Sequence, residues 1–261
     1  WFRDKSLIWH RLCLMLHHKH LLLLPLKRGF FMGKDMENLA LPTDKNIEEY
    51  KHFRQIGRVI NDDFISKLPK KAIEECGKKL GILKGKNLFL DESDTAVFFD
   101  YCLYHFRINK TNIIERELAV TSLDPKSIEV RVLESMAMAH YSVFFIKEVF
   151  EGKGILVVDF LYQTELFVID IGLARAEMKN LVFSGHLLPL KNSEFYMTSG
   201  LLPTPFDLLQ NDSIASIISK FIDEDSDDFL SKAKETSFAA QIIRTVLRYD
   251  GEKSEVRYNE V

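Results

Sequence analysis

Carboxylates gathered in sequence are what a divalent cation or a general acid–base pair needs. Asp91, Glu92 and Asp94 stand together, with Asp100 further along the same predicted helix. Acids in a first helical turn also complement the helix dipole and cap free N–H groups. No further ligand is evident nearby, so this simpler reading is preferred. Asp159, Glu165 and Asp170 fall around a predicted β turn. A divalent-metal nuclease would place a Glu-x-Lys on the strand after such an Asp. Here Glu165 is followed by Leu166 and Phe167, and the lysine is missing. Asp159 is expected instead to stabilise its turn by accepting nearby backbone amides. No metal and no cofactor is expected.

Nucleophiles and phosphate loops fare no better. Ser184-Gly185-His186 and Ser199-Gly200 are the suggestive serines, but neither sits in the Gly-x-Ser-x-Gly elbow. Gly81-Ile82-Leu83-Lys84-Gly85-Lys86 has the wrong spacing for a phosphate loop and follows a helix. Cys13, Cys76 and Cys102 are far apart with no C-x-x-C pair, which argues against a cysteine-based zinc site and for a reducing compartment. Cys76 and Cys102 read as small hydrophobes within helices. His105 and His140 follow helix bodies, where a cation favours the negative end of the dipole.

Two further clusters invite a binding role. Phe98, Phe99, Tyr101, Tyr104 and Phe106 are dense enough to stack bases. Only His105 and Arg107 lie beside them, so a helix packed on the β region is the better expectation, with Phe98 or Phe99 fully buried. The acidic run holds Asp223, Glu224, Asp225, Asp227 and Asp228. It reads as a solvated connector whose second half caps the last helix, or as a docking strip for a basic partner.

The elements that must position these residues follow from periodicity. Ile47, Tyr50, Phe53, Ile56, Val59 and Ile60 form one apolar helical stripe, capped by Asp44 or Asn46. Pro69 and Gly81 bound a second helix over 70–80. A third is expected over 91–106, a fourth from Thr111-Asn112, and a fifth from Asp124 as cap through Pro125 to Ala139. After His140 the pattern becomes β-branched and aromatic. Tyr141 to Val149 is predicted to pair antiparallel with Ile155 to Leu161 across the turn at Glu151 to Gly154. Strands over 165–169, 181–190 and 194–198 complete about five. Helices over 213–222 and 227–248 end the pattern.

The fold expected is therefore α+β. N-terminal helices (36–140) precede a five-stranded antiparallel β meander or partly open small barrel (141–206), and a C-terminal helical pair (207–261) follows. Residues 1–35 carry seven Lys/Arg against two Asp/Glu, while the remainder carries 28 against 36. The chain opens on Trp1, and that stretch is expected to be a non-native or disordered leader with Met32 or Met36 as the start. The histidines at 17, 18 and 20 interrupt its apolar run, so neither a membrane span nor a signal peptide is read there. Cytoplasm is the expected location. An acidic body disfavours nucleic acid as a partner.

Phe98-Phe99-Asp100-Tyr101, Glu115-Arg116, Glu134-Ser135 with Tyr141, Asp159 through Glu165 and Gly185 through Leu190 resemble an uncharacterised bacterial family. Its members pair a helical segment with a β module around a D-L-x-T-G-E-like turn, and the resemblance covers roughly residues 88–205. Gln163 and Thr164 depart from that turn. The SecA-C-terminal-like zinc motif of some relatives is absent here. The resemblance implies a fold and no activity. Expected functions are a non-catalytic protein-binding or adaptor module, a single-stranded nucleic-acid-associated protein, or an enzyme of unrecognised type.

Overall fold

The computed structural model describes residues 40–249, apart from 86, 89, 91, 192, 211, 212 and 223–228. The expected leader and its candidate start residues lie outside the described residues, as do Asp91 and Lys86.

Local chemistry sets the helix starts. Helix α1 (Asp44–Ser66) is capped by Thr43, not by Asp44 or Asn46. Asn46 sits at the third helical position and accepts from the Thr43 N–H at 2.9 Å, completing a capping box. Helix α2 (Lys70–Leu80) begins after Pro69 and stops at Gly81, whose φ of +73° suits a residue without Cβ. A short hairpin, β1 (Leu83–Lys84) with β2 (Asn87–Leu88), leads to α3 (Glu92–His105). Helix α4 (Ile113–Val120) opens on the Asn112–Glu115 capping box.

Helix α5 (Ile128–Ala137) starts later than expected. Asp124 Oδ1 accepts from the Lys126 N–H at 2.8 Å, so the Asp-Pro pair closes a turn of its own. Ser127 then becomes the cap, accepting from Val130.

Five strands follow: β3 (His140–Phe150), β4 (Gly154–Asp159), β5 (Thr164–Val168), β6 (Val182–Pro189) and β7 (Tyr196–Pro203). The predicted β3–β4 hairpin forms, with Phe144 opposite Asp159 and Phe150 opposite Gly154. Beyond it the barrel departs from the expected antiparallel meander. Strand order is β3-β4-β5-β7-β6, and β6 closes the ring on β3. One parallel contact, Val168 with Tyr196, joins β5 to β7. The barrel is mixed and closed, with the Greek-key topology of OB-type barrels.

Closure depends on β3. It has 11 residues and a register shift between Ile146 and Glu148. A bulge bends a strand and increases its twist. The first half of β3 therefore pairs with β6 and the second with β4, while Phe144 and Phe145 pair with both.

Alternation along β3 builds two surfaces. Phe144 and Ile146 join Ile155, Val157, Val168, Phe183 and Leu187 in one buried core, the barrel interior. Val143 and Phe145 point the other way, into a second core with Phe98, Tyr101, Ile218 and Phe238. Phe167, Leu188 and Met197 meet Phe53, Phe64, Ile114 and Leu133 in a third. Helices thus sheathe much of the barrel. That is why its strands read as nearly continuous apolar runs and not as alternating ones.

After the barrel come α6 (Asp207–Gln210), α7 (Ser213–Ser219) and α8 (Lys232–Leu247). Ser231 caps α8, accepting from the Lys234 N–H. The last helix therefore starts past the acidic run expected to cap it. That run, Asp223, Glu224, Asp225, Asp227 and Asp228, lies outside the described residues. No described helix is long and apolar enough to cross a membrane.

Candidate functional site

A chain of polar side chains runs through the seam where α3 and α8 meet the barrel. Strand pairing sets His186 opposite both Tyr141 on β3 and Ser199 on β7. Asp100, two turns into α3, reaches across to His186 and Ser199. His186 Nδ1 lies 2.5 Å from Asp100 Oδ2, and the Ser199 hydroxyl donates to Asp100 Oδ1 at 2.5 Å. His186 Nε2 is 3.2 Å from His105 Nε2, and His105 Nδ1 is 3.2 Å from Thr236 Oγ1 on α8. The Tyr104 ring stacks on His186 with centroids 3.9 Å apart.

Two glycines make the approach feasible. A Cβ on Gly200 would sit 2.1 Å from Asp100 Oδ2, and φ there is +58°. A Cβ on Gly185 would sit 3.0 Å from the Ser199 carbonyl oxygen. The Ser-Gly pairs singled out in the sequence are thus places where backbone and carboxylate come close.

Asp, His and Ser in contact are the residue types of a nucleophilic triad, but their order is wrong for one. A catalytic serine must give its proton to the imidazole, whereas Ser199 donates to the carboxylate. The inner members are buried, with Asp100 6% exposed, His105 5% and His186 1%, while Ser199 and Thr236 at the ends are half-buried. The arrangement joins layers.

His105 corrects the expectation of a helix-terminal cation. Burial, reinforced by His186 and by Lys232, Arg107 and Lys79, holds its imidazole well below the usual range and therefore neutral. Burial likewise raises the Tyr104 hydroxyl, with Asp100 adding to the effect.

His140 is the first residue of β3, not a helix terminator, and it forms a second Asp–His pair. Its Nε2 lies 3.3 Å from Asp159 Oδ2. Asp159 is fully buried, and its Oδ1 accepts from the Ser142 hydroxyl at 2.5 Å, the Leu161 N–H at 2.9 Å and the Tyr162 N–H at 3.0 Å. Its expected turn-stabilising role holds. Tyr162 and Phe229 cover the imidazole, with ring centroids 5.0 and 4.8 Å from it.

The carboxylates expected around the β turn do not converge. Glu165 pairs with Lys147 at 2.5 Å. Asp170 accepts from the Thr198 hydroxyl at 2.5 Å and from Arg54 at 3.3 Å, which ties α1 to β7. Among the described residues, no three His, Cys, Asp or Glu side chains gather as metal ligands.

The aromatics of α3 are core. Phe98 and Tyr101 are each 1% exposed, so the expected burial of one phenylalanine is met by Phe98. Cys76 and Cys102 are free and buried, and a contact with Cys76, followed by burial, pushes the Cys102 thiol up.

Residues 44–239 match the profile of one family. The chain belongs to it: Family of unknown function (DUF7986). The DUF7986 match takes in the helical layers, the whole barrel and the first half of α8 as far as Ala239. Asp100, His105, His186, Ser199 and Thr236 all lie inside it. Comparison with curated proteins and with solved structures finds no match.

Most cations of the DUF7986 barrel are paired with carboxylates. Residues 140–206 hold five Lys/Arg against seven Asp/Glu. Lys147 pairs with Glu165, Arg175 with Glu177, Lys179 with Glu148 and Lys191 with Glu134. A single-strand groove depends on unneutralised cations tracking phosphates, and most of these are committed.

Proposed function

We propose that this chain is a non-catalytic protein-binding module of a reducing, cytoplasmic compartment. Its Asp100–His186 pair serves to join layers, and Asp159 beside His140 to hold a turn. The observation that carries the binding reading is an apolar step at the end of α4. Val120 is 76% exposed and Leu123, three residues on, 49%. Two aliphatic side chains three residues apart, both well exposed to water, suit burial by a partner. Covering such residues contributes about 1.5–3 kcal/mol each.

The test compares partners captured by the tagged chain and by the Val120→Glu, Leu123→Glu double variant, quantified by mass spectrometry. Circular dichroism first establishes that both are folded. Loss of a specific partner from the variant alone is the expected outcome. An identical captured set from both proteins would overturn the assignment of this surface.

A further inference from the structure

Helix α2 has a lysine pair near each end, and the two pairs differ in their surroundings. Lys70 and Lys71 open the helix and lie 3.8 and 3.6 Å from Glu74 and Glu75, one turn on. Lys78 and Lys79 occupy its last turn, both exposed, and neither meets a carboxylate among the described residues. Packing of α8 on α2 adds two more cations to that end. A Cβ on Gly81 would sit 2.6 Å from Arg248 Nη2 and 3.6 Å from Arg244 Cδ, so both arginine side chains lie against the Gly81 backbone. Arg244 is half-buried and Arg248 exposed, and among the described residues neither guanidinium has a hydrogen-bond or ion-pair partner. Asp207, which reaches the next residue, accepts from the Tyr249 hydroxyl at 2.9 Å.

Cations at helix C-termini complement the dipole, so part of this charge has a structural use. Its size decides what remains. The ends of α2 and α8 together amount to about one negative charge, against the four cations Lys78, Lys79, Arg244 and Arg248. Backbone N–H groups of Gly81 and Ile82 already serve the Lys78 and Gly77 carbonyls, and that of Arg248 serves the Arg244 carbonyl. The surplus is out of keeping with the body of the chain, where residues 36–261 hold 28 Lys/Arg against 36 Asp/Glu. Two arginines one turn apart on a helix present planar forks that match carboxylates in bidentate pairs.

Two features select the occupant. A single nucleic-acid strand needs rings on which its bases stack, and Tyr249, beside Arg248, is packed against the core that α2, α3 and α8 share. A long polyanion would also meet the acidic remainder of the chain, which repels it. We propose that the joint end of α2 and α8, with Lys78, Lys79, Arg244 and Arg248, docks a short acidic segment of a partner protein, a run of Asp and Glu. This rests on the protein-binding reading but on residues other than Val120 and Leu123.

Fluorescence anisotropy of a labelled octapeptide of alternating Asp and Glu, titrated with the whole chain, tests this. Binding is expected, weakening as salt rises from about 50 to 200 mM, because exposed charges are screened beyond roughly 10 Å at 0.1 M salt. Arg244→Glu with Arg248→Glu should weaken it by roughly tenfold or more. Lys78→Glu with Lys79→Glu, at exposed positions, should do the same and serves where the arginine variant does not fold. Lys70→Glu with Lys71→Glu makes the same change in net charge at the other end of the 11-residue helix, about 15 Å away, and should alter the affinity by about twofold at most. Circular dichroism establishes the fold of each variant. Val120 and Leu123 take no part in the assay, so the two surfaces fail separately. Absence of binding, equal loss in the Lys70 and Lys71 variant, unchanged affinity in a folded patch variant, or tighter binding of an oligothymidylate of equal charge would each overturn the proposal. So would salt-sensitive self-association abolished by the same arginine substitutions, which would assign the patch to a second copy of this chain.

Discussion

Two buried aspartates each meet a histidine, yet they do different work. Asp159 spends Oδ1 on two N–H groups only two and three residues ahead, so its chief task is to fold its own turn. Asp100 takes no such local bond among those described. Its partners Ser199 and His186 are 99 and 86 residues away, and it holds a helix to a barrel. A local carboxylate and a long-range one have the same chemistry but different dependents. Loss of the first frays a turn, and loss of the second unfastens a layer.

Asp100→Ala should have the largest effect. It leaves His186 and Ser199 without their shared acceptor, and breaking a buried pair such as Asp100–His186 costs about 3–5 kcal/mol. Urea unfolding measures this, and a loss below about 1 kcal/mol would show that the seam does not depend on the carboxylate. Asp159→Ala should cost roughly 2–3 kcal/mol, since buried N–H and hydroxyl donors lose their acceptor. Asp159→Asn keeps an acceptor oxygen for the two turn amides and should recover most of that. An Asn as damaging as Ala would move the weight of this site from the turn to the His140 pair.

Gly200→Ala sharpens the other side of the comparison. A left-handed φ alone costs an alanine about 1 kcal/mol or more, and the clash with Asp100 adds to it. In an Asp100→Ala background the same substitution should therefore cost less, with a coupling of about 0.5–3 kcal/mol in a double-mutant cycle. Additive effects would mean that the backbone, not the carboxylate, sets the need for glycine.

The smallest effect is the pH slope. His105 has a folded-state pKa held below its unfolded value of about 6.5. Its contribution is therefore fully present above that pH and is lost as pH falls through it towards the lower folded value. Each proton taken up preferentially by the unfolded chain costs about 1.4 kcal/mol per pH unit. Stability measured from pH 7.5 to 5 should fall more steeply in the wild type than in His105→Gln.

The same contrast of local and distant partners governs what could be read from the amino-acid string. The bounds of α2, the start of α4, the β3–β4 hairpin and the turn role of Asp159 were legible, because each depends on residues within a few positions. The start of α5 was misplaced by one turn for a local reason that the string does contain: Asp124 bonds Lys126 and leaves the capping to Ser127. The barrel's closure was not legible. It depends on β7 lying between β5 and β6 and on β6 pairing with β3, contacts between strands distant in the chain.

Sequence alone determined that Ser199-Gly200 and Ser184-Gly185-His186 were unusual, that the α3 aromatics belonged to a core, and that no known catalytic spacing was present. Only the tertiary structure decided that His105 is neutral and that Asp100 belongs to Ser199 and His186. The physical reason is that burial and distant neighbours set protonation and pairing. The charge state of His105 is set by burial and by side chains such as His186 and Lys232, most of them far from it in the chain.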